Sequence, residues 1–171
     1  VFGYLNDWNP KSLKDLAKKL RASLKSPTKV EVKEFVPQPE RHIIEPKKLP
    51  SKVKNSAKIS LMTKAFKSAK ATSKEVSQVV CGLTDKEQNV LVVNSNGTFV
   101  TDLRTNIRLT CTVVAGSGAN MQAISDSIGD NKGYELFEEH DIKEFAKDIA
   151  TSAVTMAGAD EMVGGKMTVV V

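Results

Sequence analysis

The sequence predicts an α+β fold, in which three amphipathic helices pack on a mixed, mostly antiparallel sheet with a strand meander at about residues 76–124. Two apolar runs, Val90–Val93 and Thr98–Val100, flank Asn94–Gly97, and Asn-Gly between apolar runs is the strongest short signal for a β-hairpin. The next stretch, Arg104–Ala115, alternates between apolar and polar residues, as a half-buried strand does. Three further stretches carry apolar residues at helical spacing.

The stretch Arg104–Ala115 is predicted to be the central strand. Successive side chains of a strand point to opposite faces, so this stretch has one apolar face and one largely polar face. The apolar face holds Ile107, Leu109, Cys111 and Val113, and the other face holds Arg108, Thr110, Thr112 and Val114. This pattern is typical of an antiparallel sheet with one face on the core.

Shorter stretches are predicted to complete the sheet. The predicted strands are Phe2–Leu5, Val76–Leu83, Ala119–Ile124 and Lys166–Val171, with an edge strand that draws on Val30, Val32 and Phe35-Val36. The polar run Thr84–Gln88 predicts a turn before the hairpin. Strands flank Gly116-Ser117-Gly118, so this run predicts a hairpin turn and not a phosphate-binding loop.

The three helices are predicted near residues 10–25, 52–71 and 141–157. Asn9 with Pro10, Ser51, and Asp141 with Glu144 are the predicted N-terminal caps. Pro27 ends the first helix, and the proline-rich residues 28–50 predict an extended connector. Met62 and Phe66 lie on the apolar side of the second helix, where we expect core residues.

The length of the chain fits one domain, or one domain with part of another, and we expect a single domain over residues 1–171. No run approaches the ~18 apolar residues of a transmembrane helix, and no signal-peptide pattern opens the chain. The two cysteines, Cys81 and Cys111, lie in predicted apolar strands, so buried free thiols are a better interpretation than a disulfide or a metal site. We therefore expect a cytoplasmic protein. The chain lacks an initiator Met, and we expect it to be a fragment of a longer protein.

Positive charge is concentrated in the first part of the chain. Residues 1–75 carry 18 Lys and Arg against 7 Asp and Glu, whereas the whole chain has a net charge of +5. Nucleic-acid sites usually combine Arg with stacking aromatics, and this basic part has only Arg21 and Arg41 and no interleaved aromatics. A solvated lysine surface is the better interpretation, so a nucleic-acid partner and a membrane partner are not expected.

The sequence offers no catalytic, cofactor-binding or metal-binding constellation. His42 and His140 are the two histidines, and they lie far apart in no ligand-like spacing. There is no Cys-x-x-Cys pair, and Asp126–Gly133 resembles a calcium loop only loosely. We therefore assign no catalytic residue and no cofactor to this chain.

Four segments in order resemble the TldD/PmbA family, and the TldD branch in particular. They are Gly3–Asp7 followed by a helix, Val90–Asp102 (VLVVNSNGTFVTD), Arg104–Ala115 ending in Val-Val-Ala, and Gly133–Phe137 with the third helix and Gly165–Val170. Members typically have Pro where Thr168 stands. The family is described as zinc metallopeptidases and as modulators of DNA gyrase.

The resemblance implies the truncated N-terminal domain of a TldD-like metallopeptidase that acts on unfolded peptides, often as a homodimer or a heterodimer with a related subunit. The family's zinc motif, His-Glu-x-x-x-His, follows the strand of Lys166–Val171, so the zinc expected for the longer protein would be bound beyond Val171. The polar strand residues Arg108, Thr110 and Thr112 are candidate peptide contacts. The alternatives are a non-catalytic peptide- or partner-binding module of the PmbA type and weak nucleic-acid association.

If the lysine-rich part binds DNA at all, its binding should be weak and independent of sequence, because scattered lysines neutralise phosphates without reading bases. In competition gel-shift experiments, we expect specific and random duplexes to compete equally, and binding to be lost by ~0.2 M salt. A sequence preference that survives that salt concentration would contradict this prediction.

Overall fold

The computed structural model describes residues 1–25, 29, 31–38, 44–160 and 164–169. In chain order the helices and strands are α1 (Pro10–Ala22), β1 (Val36–Pro37), α2 (Asn55–Thr72), β2 (Val76–Val93), β3 (Thr98–Ala115), β4 (Gln122–Asp130), α3 (Leu136–Glu139) and α4 (Ile142–Ala157). Short 3₁₀ turns lie at Pro50–Lys52 and Gly118–Asn120. The chain divides into two compact units, the smaller formed by Val1–Gln38 with Val92–Val100 and the larger by Pro39–Leu91 with Thr101–Val171.

Strand β3 is the centre of a four-stranded sheet. It hydrogen-bonds to β2 along one side. On its other side, β3 pairs antiparallel with β4 from Ile107↔Asp130 to Ala115↔Gln122, and parallel with β1 at Val36↔Thr98. The sheet is therefore mixed and mostly antiparallel, and with its helices it confirms the predicted α+β fold.

The core of the larger unit is built on one face of β3. Its inward-facing residues are fully buried: Ile107, Leu109, Cys111, Val113 and Ala115. The helices α2 and α4 cover this face and contribute mainly small side chains: Ala65, Ala69, Ala146, Ala150 and Ala153. Small side chains at these positions let the helix backbones approach the sheet closely. On the opposite face Arg108 is exposed, which confirms the predicted alternation.

In the smaller unit, α1 begins as predicted, with the Asn9 side chain accepting a hydrogen bond from the Lys11 N–H. The predicted strand at Phe2–Leu5 is wrong, because these residues have no strand assignment. Gly3 instead lies against α1, where an added Cβ would come within 2.9 Å of Leu16. The first residues therefore pack on the helix without forming a strand.

The predicted hairpin between β2 and β3 is confirmed, but its Asn-Gly turn is not of type I′, which needs a positive φ at both central residues. Of the two central residues, Gly97 has a positive φ of 90° and Asn96 does not. The Asn94 side chain takes over part of the turn by accepting hydrogen bonds from the N–H groups of Asn96 and Thr98. The link is thus a four-residue turn closed by an Asn side chain.

The predicted turn at Thr84–Gln88 is wrong, since β2 runs without interruption through it. Two polar residues of this stretch have partners from elsewhere in the chain. Asp85 contacts Lys58 and Tyr134, and Glu87 accepts a hydrogen bond from the Ser51 N–H. These contacts allow an extended backbone despite the polar sequence.

The remaining strand predictions are partly correct. The edge strand forms only at Val36–Pro37, and β4 begins at Gln122 and extends to Asp130, past the predicted end. Within the predicted strand Lys166–Val171, residues 166–169 have no strand assignment, and residues 170 and 171 lie outside the described part. Residues 166–169 pair with no strand among the described residues, so the apolar sequence alone does not make them part of the sheet.

The three predicted helices are confirmed near their expected positions. Asp141 caps α4 by accepting the N–H groups of Lys143 and Glu144. Ser51 does not cap α2, because it lies in a 3₁₀ turn and the helix starts at Asn55 without a side-chain cap. The predictions for Pro27, Val30, Pro39 and His42 fall outside the described residues.

Replacing Leu109 with Ala should lower the free energy of unfolding by about 2–5 kcal/mol, because it leaves a cavity at a fully buried position. Urea denaturation followed by circular dichroism measures this change. The neighbouring substitution Arg108→Gln, on the exposed face, should change the free energy by only about 0.5 kcal/mol. Equal effects of the two substitutions would contradict the assigned faces.

Candidate functional site

Strand β2 forms one edge of the sheet. The strand order β1-β3-β2 places β3 on one side of it, and no described strand pairs with its other side. At the start of β2, the Lys70 ammonium donates to the carbonyls of Val76 and Ser77. From Val79 to Leu91, no backbone group of the described loops and helices bonds to the β2 backbone. Half of the N–H and C=O groups of an edge strand point outward, so this edge is a template for an added strand.

An apolar groove of about 420 Å³ lies where α2 runs beside β2. Its walls are Ile59, Met62, Thr63 and Phe66 of α2 and Val79, Val80 and Cys81 of β2. Three of these side chains are largely exposed: Ile59 at 58%, Val80 at 52% and Phe66 at 42%. Met62 and Phe66 were expected in the core; Met62 is packed against it, but Phe66 is exposed at the groove. The groove therefore offers apolar surface next to the open backbone edge.

A polar cluster fixes α2 to β2 at the other end of this face. Asp85 accepts hydrogen bonds of 2.5 Å from both the Lys58 ammonium and the Tyr134 hydroxyl. Lys58 also lies 5.4 Å from the centre of the Tyr134 ring, which adds a cation–π contact. Partial burial alone would raise the pKa of Asp85, but the two hydrogen bonds and the Lys58 charge lower it.

The same cluster offers no reactive base or nucleophile. Burial and the neighbouring Asp85 raise the pKa of Tyr134, so its hydroxyl stays protonated and donates to the carboxylate. Lys58 and Asp85 neutralise each other as a half-buried ion pair. The cluster thus positions α2, β2 and the turn before α3, and holds the groove walls in place.

Glu135 anchors the segment that leads into α2. Its buried carboxylate accepts the backbone N–H groups of Lys47, Lys48 and Gly133 at 2.8–3.0 Å. Burial would raise the pKa of Glu135, but these N–H groups and its own lower it to about 2. Gly133 is required here because a Cβ would collide with the Lys48 carbonyl. The contact connects residues 87 positions apart.

The three residues predicted to face a peptide share one side of β3. Arg108 is exposed, Thr110 and Thr112 are half-buried, and Thr112 Oγ1 lies 2.9 Å from Ser125 Oγ on β4. Along this part of β3 both backbone edges are occupied, by β2 and β4. A peptide could therefore touch this face only through side chains. Periodicity predicted this face but missed the β2 edge and the groove.

The described residues do not fit a zinc site. No three of their His, Cys, Asp and Glu side chains come together in a group that could hold a metal ion. His140 is exposed just before α4, and His42 lies outside the described residues. Cys81 and Cys111 are free thiols in contact with each other. No metal-dependent step can be derived from these side chains.

A sequence profile described as the PmbA/TldA metallopeptidase central domain matches residues 48–157, which is most of the larger unit. The chain belongs to the PmbA/TldD family. The match covers β2, β3, β4, α2 and α4, so the open edge and the groove lie within this family domain. The boundaries of a single domain over residues 1–171 stay a prediction.

Two relatives give the PmbA/TldD assignment its context. A protein of Methanothermobacter thermautotrophicus described as a metalloprotease is 25% identical over 141 residues, covering 82% of this chain and 31% of that protein. A Thermotoga maritima crystal structure, described as a candidate modulator of a DNA gyrase, superposes with a TM-score of 0.68 at 20% identity, over 92% of this chain and 34% of that one. This chain thus spans about a third of either relative. None of the described helices is long and apolar enough to cross a membrane.

Replacing Glu135 with Gln should lower the free energy of unfolding by about 1–3 kcal/mol at pH 7, because an amide N–H would face backbone donors. The wild-type carboxylate has a depressed pKa, so its stabilisation is present above its ordinary pKa of 4.5 and is lost as the pH falls toward 2. Urea titrations between pH 2 and 7 should show a weaker acid dependence for the variant.

The matched control for Glu135→Gln is Glu138→Gln, which removes the exposed ion pair with Lys48. Because exposed pairs contribute little, this change should cost less than about 1 kcal/mol. An unchanged acid dependence in Glu135→Gln would show that the buried carboxylate is not the group that titrates.

Proposed function

We propose that this chain supplies a peptide-binding surface of a PmbA/TldD metallopeptidase. An extended segment of an unfolded peptide would add as a strand to the free edge of β2 and place its apolar side chains in the groove beside α2. The single observation that supports this is the position of the apolar groove directly beside an open backbone edge.

Strand addition suits a protein that accepts many unfolded sequences. Main-chain hydrogen bonds give affinity without reading side chains, and the pocket beside the edge selects alternate residues of the peptide. Here the pocket is lined by aliphatic and aromatic residues, including Ile59, Phe66 and Val80. We therefore propose apolar side chains at every second peptide position.

The charge of α2 favours acidic peptides. This helix forms one wall of the groove and has no acidic residue, and of its four lysines only Lys58 is paired with a carboxylate of the described residues, that of Asp85. A peptide with acidic residues, or with its terminal carboxylate near the helix, would gain from this field, and its association would weaken as salt screens the charges.

We propose that hydrolysis depends on zinc bound by residues outside this chain, as the family resemblance implies, in a cytoplasmic protein that pairs with a second copy or a related subunit. The alternative is a non-catalytic module that uses the same edge only to bind. The two are distinguished by whether a longer protein containing this chain cleaves the bound peptide in a zinc-dependent manner.

Peptide binding by strand addition can be tested by fluorescence anisotropy with an acidic peptide that has apolar residues at alternate positions. N-methylation of every second peptide bond on the edge-facing side removes the donors that would pair with β2. We expect this peptide to bind at least tenfold more weakly than the unmethylated one. A control peptide, methylated at the alternate peptide bonds whose N–H groups point away from β2, should lose much less affinity. Equal affinity of both peptides would reject strand addition.

Point variants distinguish peptide binding at the β2 edge from binding on the polar face of β3, which the sequence predicted. Ile59→Ala removes exposed groove surface and should weaken peptide binding about threefold to tenfold. Met156→Ala, a similarly exposed apolar residue on α4 outside the groove, is the matched control and should leave binding unchanged. If Arg108→Ala weakens binding while Ile59→Ala does not, the peptide lies on the polar face of β3 and this proposal is wrong.

A further inference from the structure

The two cysteines of the chain meet across neighbouring strands. Cys81 of β2 and Cys111 of β3 are both free, and their Sγ atoms are 3.5 Å apart. Their exposures differ, since Cys111 is fully buried in the core and Cys81 is half-buried and lines the groove. One thiol is thus accessible from solvent through the groove, and the other is accessible only through the first.

We propose that Cys81 and Cys111 form a reversible thiol–disulfide site that is oxidised by low-molecular-weight disulfides entering the groove. This modification site shares the groove with the proposed peptide, but it does not depend on the function proposed above. Its basis is the contact of the two sulfur atoms together with the unequal access to them.

The geometry permits a disulfide with little movement. A disulfide has sulfur atoms about 2.05 Å apart, so the observed sulfur separation must shorten by about 1.5 Å. Side chains facing each other on neighbouring strands have Cα atoms about 4.5–5.5 Å apart, which is within the disulfide range of about 4.4–6.8 Å. Rotation about the side-chain bonds can therefore close the bond while the strands stay paired.

The exchange would proceed in two steps. The Cys81 thiolate attacks one sulfur of the small disulfide, releases a small thiolate and forms a mixed disulfide. The Cys111 sulfur then attacks Cys81 Sγ and displaces the second small thiolate, which takes up the Cys111 proton. The protein gives up two electrons and two protons, and the small disulfide becomes two thiols.

Unequal access also sets the order of these steps. Burial raises the pKa of both thiols, and burial together with the hydrogen bond to Cys81 raises that of Cys111 to about 12. Cys111 can donate its S–H to a Cys81 thiolate, which partly offsets the effect of burial on Cys81. Cys81, which has access to the groove, is therefore the attacking thiol.

The test uses reduced protein and an excess of bis(2-hydroxyethyl) disulfide, a small neutral probe, followed by intact and peptide mass spectrometry. The wild-type protein should lose two hydrogens, yield a linked Cys81–Cys111 peptide pair, and return to two thiols with a reductant. Cys111→Ser should stop at the mixed disulfide on Cys81. Cys81→Ser should react at least tenfold more slowly, because Cys111 is buried.

Circular dichroism is used to check that each variant folds. If Cys111→Ser does not fold, Cys111→Ala is used in its place. The proposal is overturned if the wild-type mixed disulfide on Cys81 persists, if disulfides form only between molecules, or if Cys81→Ser reacts as fast as Cys111→Ser.

Discussion

The fully buried row of side chains on β3 is the constraint on which the rest of the larger unit depends. Because the strand pleat sends Ile107, Leu109 and Cys111 to one face, both long helices of this unit must lie on that face. Strand β2 lies at the edge of the sheet and is only partly covered by α2. The groove between α2 and β2 is the consequence, since Val79 is buried there and Cys81 remains half-buried.

Polar contacts between distant residues complete this arrangement. A continuous β2 turns Asp85 toward the helices, which would be unfavourable without the Lys58 ammonium and the Tyr134 hydroxyl. Glu135 holds the segment before α2 by accepting three backbone N–H groups from other residues. Within the described part of the chain, no buried side-chain nitrogen or oxygen lacks a hydrogen-bond partner. The apolar core and these polar contacts therefore specify the same position of α2 beside β2.

Sequence periodicity predicted helices and strands, but it did not predict that β2 is a continuous strand at the edge of the sheet. The alternation of β3 and the caps Asn9 and Asp141 depend on neighbouring residues, so they can be read directly from the sequence. The continuity of β2 through Asp85 depends on Lys58 and Tyr134, which lie 27 and 49 residues away, and local propensity cannot include such partners. The prediction that Phe66 is a core residue fails for a similar reason. Helical spacing identifies an apolar stripe but not which part of the stripe the sheet covers, and Phe66 is exposed.

In the candidate site, too, local sequence predicted some features, whereas others depend on the whole sheet. Alternation identifies Arg108, Thr110 and Thr112 as one polar face, but strand order decides which backbone edge is open, and strand order is a property of the whole sheet. Binding by strand addition needs only an open edge and an adjacent pocket, and β2 with α2 supplies both. Peptide hydrolysis needs an activated water or nucleophile in addition, and the described side chains bring no three metal ligands together. The proposed peptide binding therefore depends on two features of this family domain, the open edge of β2 and the groove beside it.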